Sequence, residues 1–354
     1  MEDSALISKT TKVRCQEKGL RYLLIGEKQG FGPNQVIPHF RRNHVTLEYV
    51  SISSYHQQPN LVNWSPMFML NPNDQLVFLQ LRILICDRIL IENAPLVSLL
   101  RNCPKLEHLA VKVLHNSPID LLDILQFGSR QLKRINLDTI KAQEEPRQNN
   151  DDDNNNNSNS NSNNEQRQRH FSNLSTRGCQ IEYIRLFKVY NVTSTLLEGI
   201  AELKTIQHLD ITFSSLFAAS NDQTDNHDGF SRFAEMLHKT RIKSLELAQV
   251  ASVSYPTLVA FGNLCNIESL RIRRSKIGKT LQVHGNGLVQ MMNTTKSLKY
   301  VYFDNLQLFG NDNVSNDDDN GLDFLNKEIH RYKAIKKDCS RSANRNTVIL
   351  KPIE

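Results

Sequence analysis

The chain has 354 residues, of which 39% are hydrophobic, so it can bury a sizeable core. Its formal net charge of +6 is modest for that length. Nucleic-acid-binding domains usually concentrate more positive charge on one surface, so nucleic acid is a disfavoured partner. The six cysteines form no C-x-x-C pair, which argues against a disulfide framework or a zinc site and favours a reducing compartment, the cytoplasm or the nucleus. No signal peptide and no stretch of membrane-spanning length is evident, so we expect no membrane contact.

One six-residue pattern, aliphatic-x-x-aliphatic-x-aliphatic, recurs along the chain. Four of the nine steps between successive copies are 25 or 26 residues long, inside the range of leucine-rich repeats. The second and third aliphatic positions are two residues apart, the spacing that places both side chains on one face of a strand. Near Leu81 a second register, LVFLQL from Leu76, fits equally well. The ten copies begin at Leu20, Leu47, Leu81, Leu106, Leu132, Ile181, Ile206, Ile242, Ile267 and Leu298.

Between these predicted strands the apolar spacing changes to i, i+3 or i+4, which predicts helices. The helical segments are PLVSLLRNC (95–103), PIDLLDILQFG (118–128), TSTLLEGIAEL (193–203), GFSRFAEMLHKT (229–240) and GLVQMMNTT (287–295). A single strand-helix unit has nothing to bury its apolar stripe against, whereas stacked units share one core. The predicted fold is therefore α/β: a right-handed leucine-rich-repeat solenoid, a horseshoe with a parallel concave sheet and outer helices.

The segment RNCPKLEHLAV, from Arg101 to Val111, carries a more specific resemblance. A helix that ends in N-C-P and continues as K-L-x-x-L-x-V resembles the helix-to-strand joint of the ribonuclease-inhibitor-like and F-box-associated leucine-rich repeats. The resemblance extends from about Leu20 to Phe303. It implies a protein-recognition role, and in the F-box case the substrate-recognition subunit of an SCF-type ubiquitin ligase. The sequence shows no F-box motif.

The sequence divides into five segments. Residues 1–19 form an N-terminal segment that we interpret as a weak cap, and residues 20–140 and 179–310 carry the repeats. Residues 141–178 contain an Asn/Ser-rich insertion with almost no apolar side chains, which predicts disorder. Residues 311–354 are an acidic loop and a C-terminal cap, predicted as a helix over 321–339 and a short strand over 347–351. A further polar insertion, Ala218 to Gly229, explains one of the longer steps between repeats.

No motif in the sequence points to catalysis. The glycine-rich GEKQGFG, from Gly26 to Gly32, fits no phosphate-binding pattern. The histidines include no H-E-x-x-H pair, and no nucleophile elbow is present. Two basic runs, over 271–279 and 330–337, suit either nuclear signals and phosphate contacts or solvated faces. We therefore expect a non-enzymatic monomer that binds no cofactor and no metal.

The residues between the buried strand positions point to the concave face, so the third, fifth and seventh positions of the units form three parallel columns. The columns begin with Tyr49, His108, Lys112, Arg134, Asn136 and Asp138, and they end at Asp304. Arginine and aromatic side chains dominate binding hot spots, and they are most frequent from Tyr183 onward. The predicted protein-binding residues are Tyr183, Arg185, Phe187, His208, Asp210, Glu246, Arg271, Arg273, Tyr300 and Tyr302.

Three functions follow from this pattern. The first is a protein-recognition scaffold whose partner is another protein, with ubiquitin-ligase components as one candidate. The second is a regulatory inhibitor that occludes a partner enzyme, as ribonuclease-inhibitor-like repeats can. The third, opposed by the modest charge, is nucleic-acid binding, which a steep loss of affinity with added salt would reveal.

Overall fold

A computed structural model describes residues 4–7, 19–26, 32–53, 62–70, 76–113, 119–141, 180–190, 194–217, 226–274, 280–304, 306–309, 324–329, 332–338 and 346–352. The chain forms two compact units. Unit 1 comprises Met1–Asn155 and Asn173–Asn191, and unit 2 comprises Asn156–Ser172 and Val192–Glu354. Both are α/β, with a mostly parallel sheet and helices in the connections. The predicted disorder of the Asn/Ser-rich insertion concerns residues outside the described ones, as does the acidic stretch over 311–320.

Unit 1 contains seven parallel strands that lie side by side in chain order. The strands are β1 (Ser4–Ile7), β2 (Tyr22–Gly26), β3 (Tyr49–Ser53), β4 (Ile83–Ile89), β5 (His108–Val113), β6 (Arg134–Lys141) and β7 (Tyr183–Tyr190). The helices are α1 (Pro33–Arg42), α2 (Ser65–Phe68), α3 (Asn93–Arg101) and α4 (Leu121–Phe127). Strand β1 lies within the segment 1–19 and pairs in parallel with β2.

Unit 2 contains a larger and a smaller sheet. The larger has the order β8 (His208–Phe217), β9 (Ser244–Val250), β11 (Ser269–Arg273), β13 (Tyr300–Asp304), β16 (Asn346–Pro352) and β15 (Tyr332–Asp338). The smaller, which was not predicted, has the order β10 (Ser252–Val253), β12 (Leu281–His284) and β14 (Leu306–Phe309). The helices include α5 (Ser194–Ala201), α6 (Asn226–Met236), α7 (Tyr255–Gly262) and α8 (Gly285–Thr294).

The predicted strand register is confirmed along the chain. Each of the ten hexapeptides gives a strand that begins at its third residue, from Tyr22 after Leu20 to Tyr300 after Leu298. Of the two registers open near Leu81, the structure has the one that starts there, because β4 begins at Ile83. Alternate strand residues such as Leu109 and Leu245 are fully buried. Each such side chain contributes about 1.5–3 kcal/mol of burial free energy.

The five predicted helices are present, but three others were missed. Helix α1 carries Pro33 at its first position and Pro38 inside it, and proline obscures a helical pattern. Helix α2 is a single turn. Helix α7 has the sequence YPTLVAFG, which is apolar on most sides and therefore shows no amphipathic period.

The structure corrects two boundaries. Among the described residues of the C-terminal helix predicted over 321–339, the helical ones are 324–328, and Tyr332–Asp338 is a strand instead. That strand pairs antiparallel with β16 over its whole length, and the Tyr332 hydroxyl donates a hydrogen bond of 2.5 Å to the carbonyl of Leu298. Tertiary pairing thus overrides helical spacing here. The polar insertion predicted over 218–229 also ends early, because α6 begins at Asn226.

A ladder of alternating charge runs along the residues that precede the strands. In unit 1 Arg21 bonds Glu48 at 2.5 Å, and Arg82 bonds Glu107 at 2.7 Å. In unit 2 Lys299 bonds Glu268 at 2.7 Å. The order in unit 1 is Arg21, Glu48, Arg82, Glu107, Lys133 and Glu182. Exposed ion pairs contribute little energy each, but this alternation disfavours a strand order that would place like charges together.

Three strands share an unusual backbone conformation at the same position. Arg88, Lys188 and Gln249 each have a φ between 53° and 67°, although none is glycine. Each is the sixth residue of its strand, directly after the seventh position of the repeat. The register of β4 against β5 shifts between Asp87 and Ile89, as at a β-bulge. The repeat therefore extends to backbone detail, because equivalent residues turn the chain at the end of the strand.

Candidate functional site

The sheet of each unit has one buried and one open face. Residues at the third, fifth and seventh positions of the repeat lie on the open face, where most of them are exposed or half-buried. Register aligns Ile83, His108, Arg134 and Tyr183 in unit 1. In unit 2 it aligns His208, Ser244, Ser269 and Tyr300. The three predicted columns therefore exist as straight tracks that cross the strands.

Three of the predicted binding residues lie on β7 in unit 1. Tyr183 is half-buried, Arg185 is exposed and Phe187 is 37% exposed. The ammonium group of Lys188 lies 5.7 Å from the centre of the Phe187 ring, within cation-π range. Arg185 and Phe187 also line a depression in the open face.

The depression is a cavity of about 440 Å³ over the strands β4 to β7. Its lining is Ile85, Cys86, Asp87, Ala110, Val111, Lys112, Asn136, Asp138, Arg185 and Phe187. Ala110, on β5, contributes a small side chain to this lining. Asp87, Lys112 and Asp138 are aligned on three adjacent strands, so negative and positive charges alternate across it. Asp138 is only 7% exposed, whereas Lys112 is exposed.

The first strands of unit 1 carry an apolar patch, of which the sequence analysis predicted only Tyr49 as an open-face residue. It consists of Tyr22, Leu24, Tyr49, Ile83 and Ile85, at the third and fifth positions of β2 to β4. Tyr22 is 37% exposed, and its ring centre lies 6.3 Å from that of Tyr49. The signal was present in the sequence, because the hexapeptides at Leu20 and Leu81 carry apolar residues at positions that are mostly polar elsewhere.

In unit 2 five predicted residues form one cluster, which we call the arginine–tyrosine cluster: Glu246, Arg271, Arg273, Tyr300 and Tyr302. Glu246 accepts from Arg271 at 3.4 Å and also pairs with Arg273. The Arg271 guanidinium lies 4.6 Å over the Tyr302 ring. The Tyr300 and Tyr302 rings are stacked, with centres 6.5 Å apart and planes 17° apart. These contacts join both arginines, Glu246 and both tyrosines into one group.

Within the described part of the chain, three arginine side chains in the cluster or directly after it have an unsatisfied hydrogen-bond donor. The Nε–H groups of Arg271, Arg273 and Arg274 are buried and have no hydrogen-bond acceptor among the described residues. Such unsatisfied donors are uncommon in folded proteins. The remaining predicted residues, Asp210 and His208, lie on β8. Asp210 is half-buried and in register with Glu246, whereas His208 is exposed and aligned with Ser244.

The titratable groups in described regions do not suggest a nucleophile. Burial raises the pKa of the Cys86 and Cys103 thiols far above the usual range, so both stay protonated. Burial, and then the charge of Arg134, lower the pKa of His108 on the open face of unit 1. Among the residues that the structure describes, no three His, Cys, Asp or Glu side chains are grouped as metal ligands would be.

Comparisons with known proteins give no family. No protein-family model matches the chain, and a search of curated proteins finds no significant match. Within the described ranges, no helix combines the length and apolar character needed to cross a membrane.

Proposed function

We propose that this chain is a leucine-rich-repeat solenoid that binds another protein through the open face of its sheet. Support for the solenoid comes from parallel strands in chain order, each beginning at the same position of a recurring hexapeptide. The shared left-handed residue at the end of three strands adds to it. A stacked array of this kind presents its strand side chains in regular columns, which suits recognition of an extended surface.

The observation that carries the binding role is the arginine–tyrosine cluster. Arginine and tyrosine are enriched in binding hot spots, because they combine contact area with directed hydrogen bonds. Here Tyr302 and Glu246 already hold Arg271 in one orientation. A partner would therefore bind without first ordering these long side chains, which lowers the entropic cost of association.

The test is a combined substitution of four open-face residues by alanine: Arg185, Phe187, Arg271 and Tyr302. We expect it to reduce partner capture in a pull-down by at least about a hundredfold, since hot-spot truncations cost about 2 kcal/mol or more each. The far-UV CD melt should be nearly unchanged, because none of the four belongs to the buried core. The matched control replaces Lys105, Lys204, Lys239 and Arg241, which are exposed outside the strands. Undiminished capture by the fourfold variant would contradict the proposal.

Within this class, the resemblance of the segment Arg101 to Val111 to F-box-associated repeats favours a substrate-recognition subunit of an SCF-type ubiquitin ligase. Affinity purification of the tagged chain from its own cells, followed by mass spectrometry, tests this assignment. Recovery of a cullin and its adaptor would support it. Recovery of another stable partner without them would contradict the ligase role and leave a scaffold or an inhibitor.

A further inference from the structure

The open face of unit 1 changes character from one end to the other. The apolar patch occupies β2 to β4, and exposed cations follow on β5 to β7. We infer that this face binds an amphipathic helix of a partner protein, whose apolar stripe is followed at one end by acidic side chains. This inference rests on the proposed protein-binding role and assigns the chemistry of the partner segment.

The arrangement of the apolar side chains favours a helix over an extended segment. Tyr22, Tyr49 and Ile83 are aligned on adjacent strands, and so are Leu24, Ser51 and Ile85. Adjacent strands are about 4.8 Å apart. Helical neighbours at i, i+3 and i+4 are about 5–6 Å apart, whereas side chains on one face of a strand are about 6.7 Å apart. A helix that crosses the strands therefore matches the spacing of the two apolar columns.

The length of the patch fixes the length of the helix. From β2 to β4 there are two inter-strand steps, about 10 Å in total, which about six helical residues cover. Three further steps lead to β7 and correspond to about ten more residues. The cavity at Ala110, about 440 Å³, lies where the apolar part ends. It is far larger than the roughly 30 Å³ share of one water molecule, so it can accept a large anchoring side chain.

The charges on β5 to β7 determine which side chains should follow the apolar stripe of the partner helix. Lys112, Arg134 and Arg185 are exposed on β5, β6 and β7. The carboxylates of the same region are recessed, because Asp87 is half-buried and Asp138 is 7% exposed. A partner helix thus meets cations first, and complementary potentials favour acidic residues.

The charged residues that precede the strands, beside the apolar patch, do not favour acidic partner residues in the same way. Arg21 and Glu48 pair at 2.5 Å, and Arg82 and Glu107 pair at 2.7 Å. These charges neutralise each other before a partner arrives. The cationic end of the face therefore determines the orientation of the helix, and the apolar end contributes contact area.

The inference is tested by selection of 16-residue peptides from a random display library on the purified full chain. We expect enriched peptides with apolar residues at i, i+3 or i+4 and i+7, followed by Asp or Glu, and a gain of helical CD signal on binding. The double variant Lys112→Glu with Arg134→Glu should weaken the best peptide at least about tenfold, or about 1.4 kcal/mol. Replacing the acidic residues of the peptide by lysine should restore binding to that variant.

The control variant Lys105→Glu with Lys204→Glu changes two exposed lysines outside the strands and should bind like wild type. Absence of any enriched peptide, peptides with an extended two-residue period, or equal binding to both double variants would each overturn the inference. Binding of the cellular partner to these variants distinguishes a failure of the helix inference from a failure of the proposed protein-binding role. If the Lys112 and Arg134 variant keeps that partner while the fourfold alanine variant loses it, the helix assignment fails and the binding role stands.

Discussion

The open faces of the two units share one strand register and differ in chemistry. In unit 1 the first strands present tyrosine and aliphatic side chains with paired charges only at the border. In unit 2 the corresponding columns hold Glu246, Arg271 and Arg273 in one ion-paired group beside two stacked tyrosines. The buried faces hardly differ, since both consist mainly of buried leucine, isoleucine and valine.

This contrast separates the positions that make the fold from those that are free to vary. A polar side chain at a buried position leaves an unsatisfied group and costs stability. At an open position either an apolar or a charged side chain meets solvent, so the fold tolerates both. The fold therefore does not dictate the differences between the units at the third, fifth and seventh positions, and three experiments probe that division.

The largest effects are expected at buried positions and should be similar in the two units. Leu109→Ala in β5 and Leu245→Ala in β9 each remove a fully buried leucine. We expect each to lower the free energy of unfolding by about 2–5 kcal/mol, through lost burial and the cavity that remains. Urea unfolding followed by far-UV CD measures both. A loss below about 1 kcal/mol in either variant would show that its strand is not packed as described.

An effect of intermediate size, on the binding of an apolar dye, is expected only for the apolar patch of unit 1. The dye ANS binds exposed apolar surface, so Ile83→Ser with Ile85→Ser should lower its fluorescence enhancement by roughly a third to a half. Arg271→Ser with Arg273→Ser is the matched pair in unit 2 and should leave the enhancement unchanged. Equal responses of the two double variants would remove the distinction between the faces.

The smallest expected effect is on the pH dependence of the free energy of unfolding. The pKa of His108 is lowered in the folded chain, by burial first and then by Arg134. The unfolded chain therefore takes up a proton more readily, and the stabilisation is complete above the ordinary histidine pKa of about 6.5. It is lost as the pH falls below that value. We expect the free energy of unfolding to fall between pH 7.5 and pH 5.5, and to fall less in His108→Gln. Identical pH profiles of the two proteins would contradict this assignment.

Pattern alone located the ten strands and the columns between them, because buried aliphatic positions recur with the period of a strand. It did not find α7, whose apolar residues surround the helix, or β15, whose residues carry helical spacing. It also passed over Tyr22, Leu24, Ile83 and Ile85. Leu24, Ile83 and Ile85 are aliphatic, and an aliphatic residue at an open position is hard to distinguish in sequence from one in the core. Tyr22 is of a type that is frequent in hot spots, but it lies outside the region from Tyr183 onward where arginine and aromatic side chains are most frequent.

For the ten hexapeptides, the sequence by itself determined which positions are buried, where the strand begins and which side chains share a column, since these follow from local periodicity. Only the tertiary structure decided the contacts between neighbouring repeats. The stacking of Arg271 on Tyr302, the pairing of Arg82 with Glu107 and the cavity over Ala110 each involve residues from different repeats. Such contacts depend on which repeats lie side by side and in what register, and hydrogen bonding between the strands determines both.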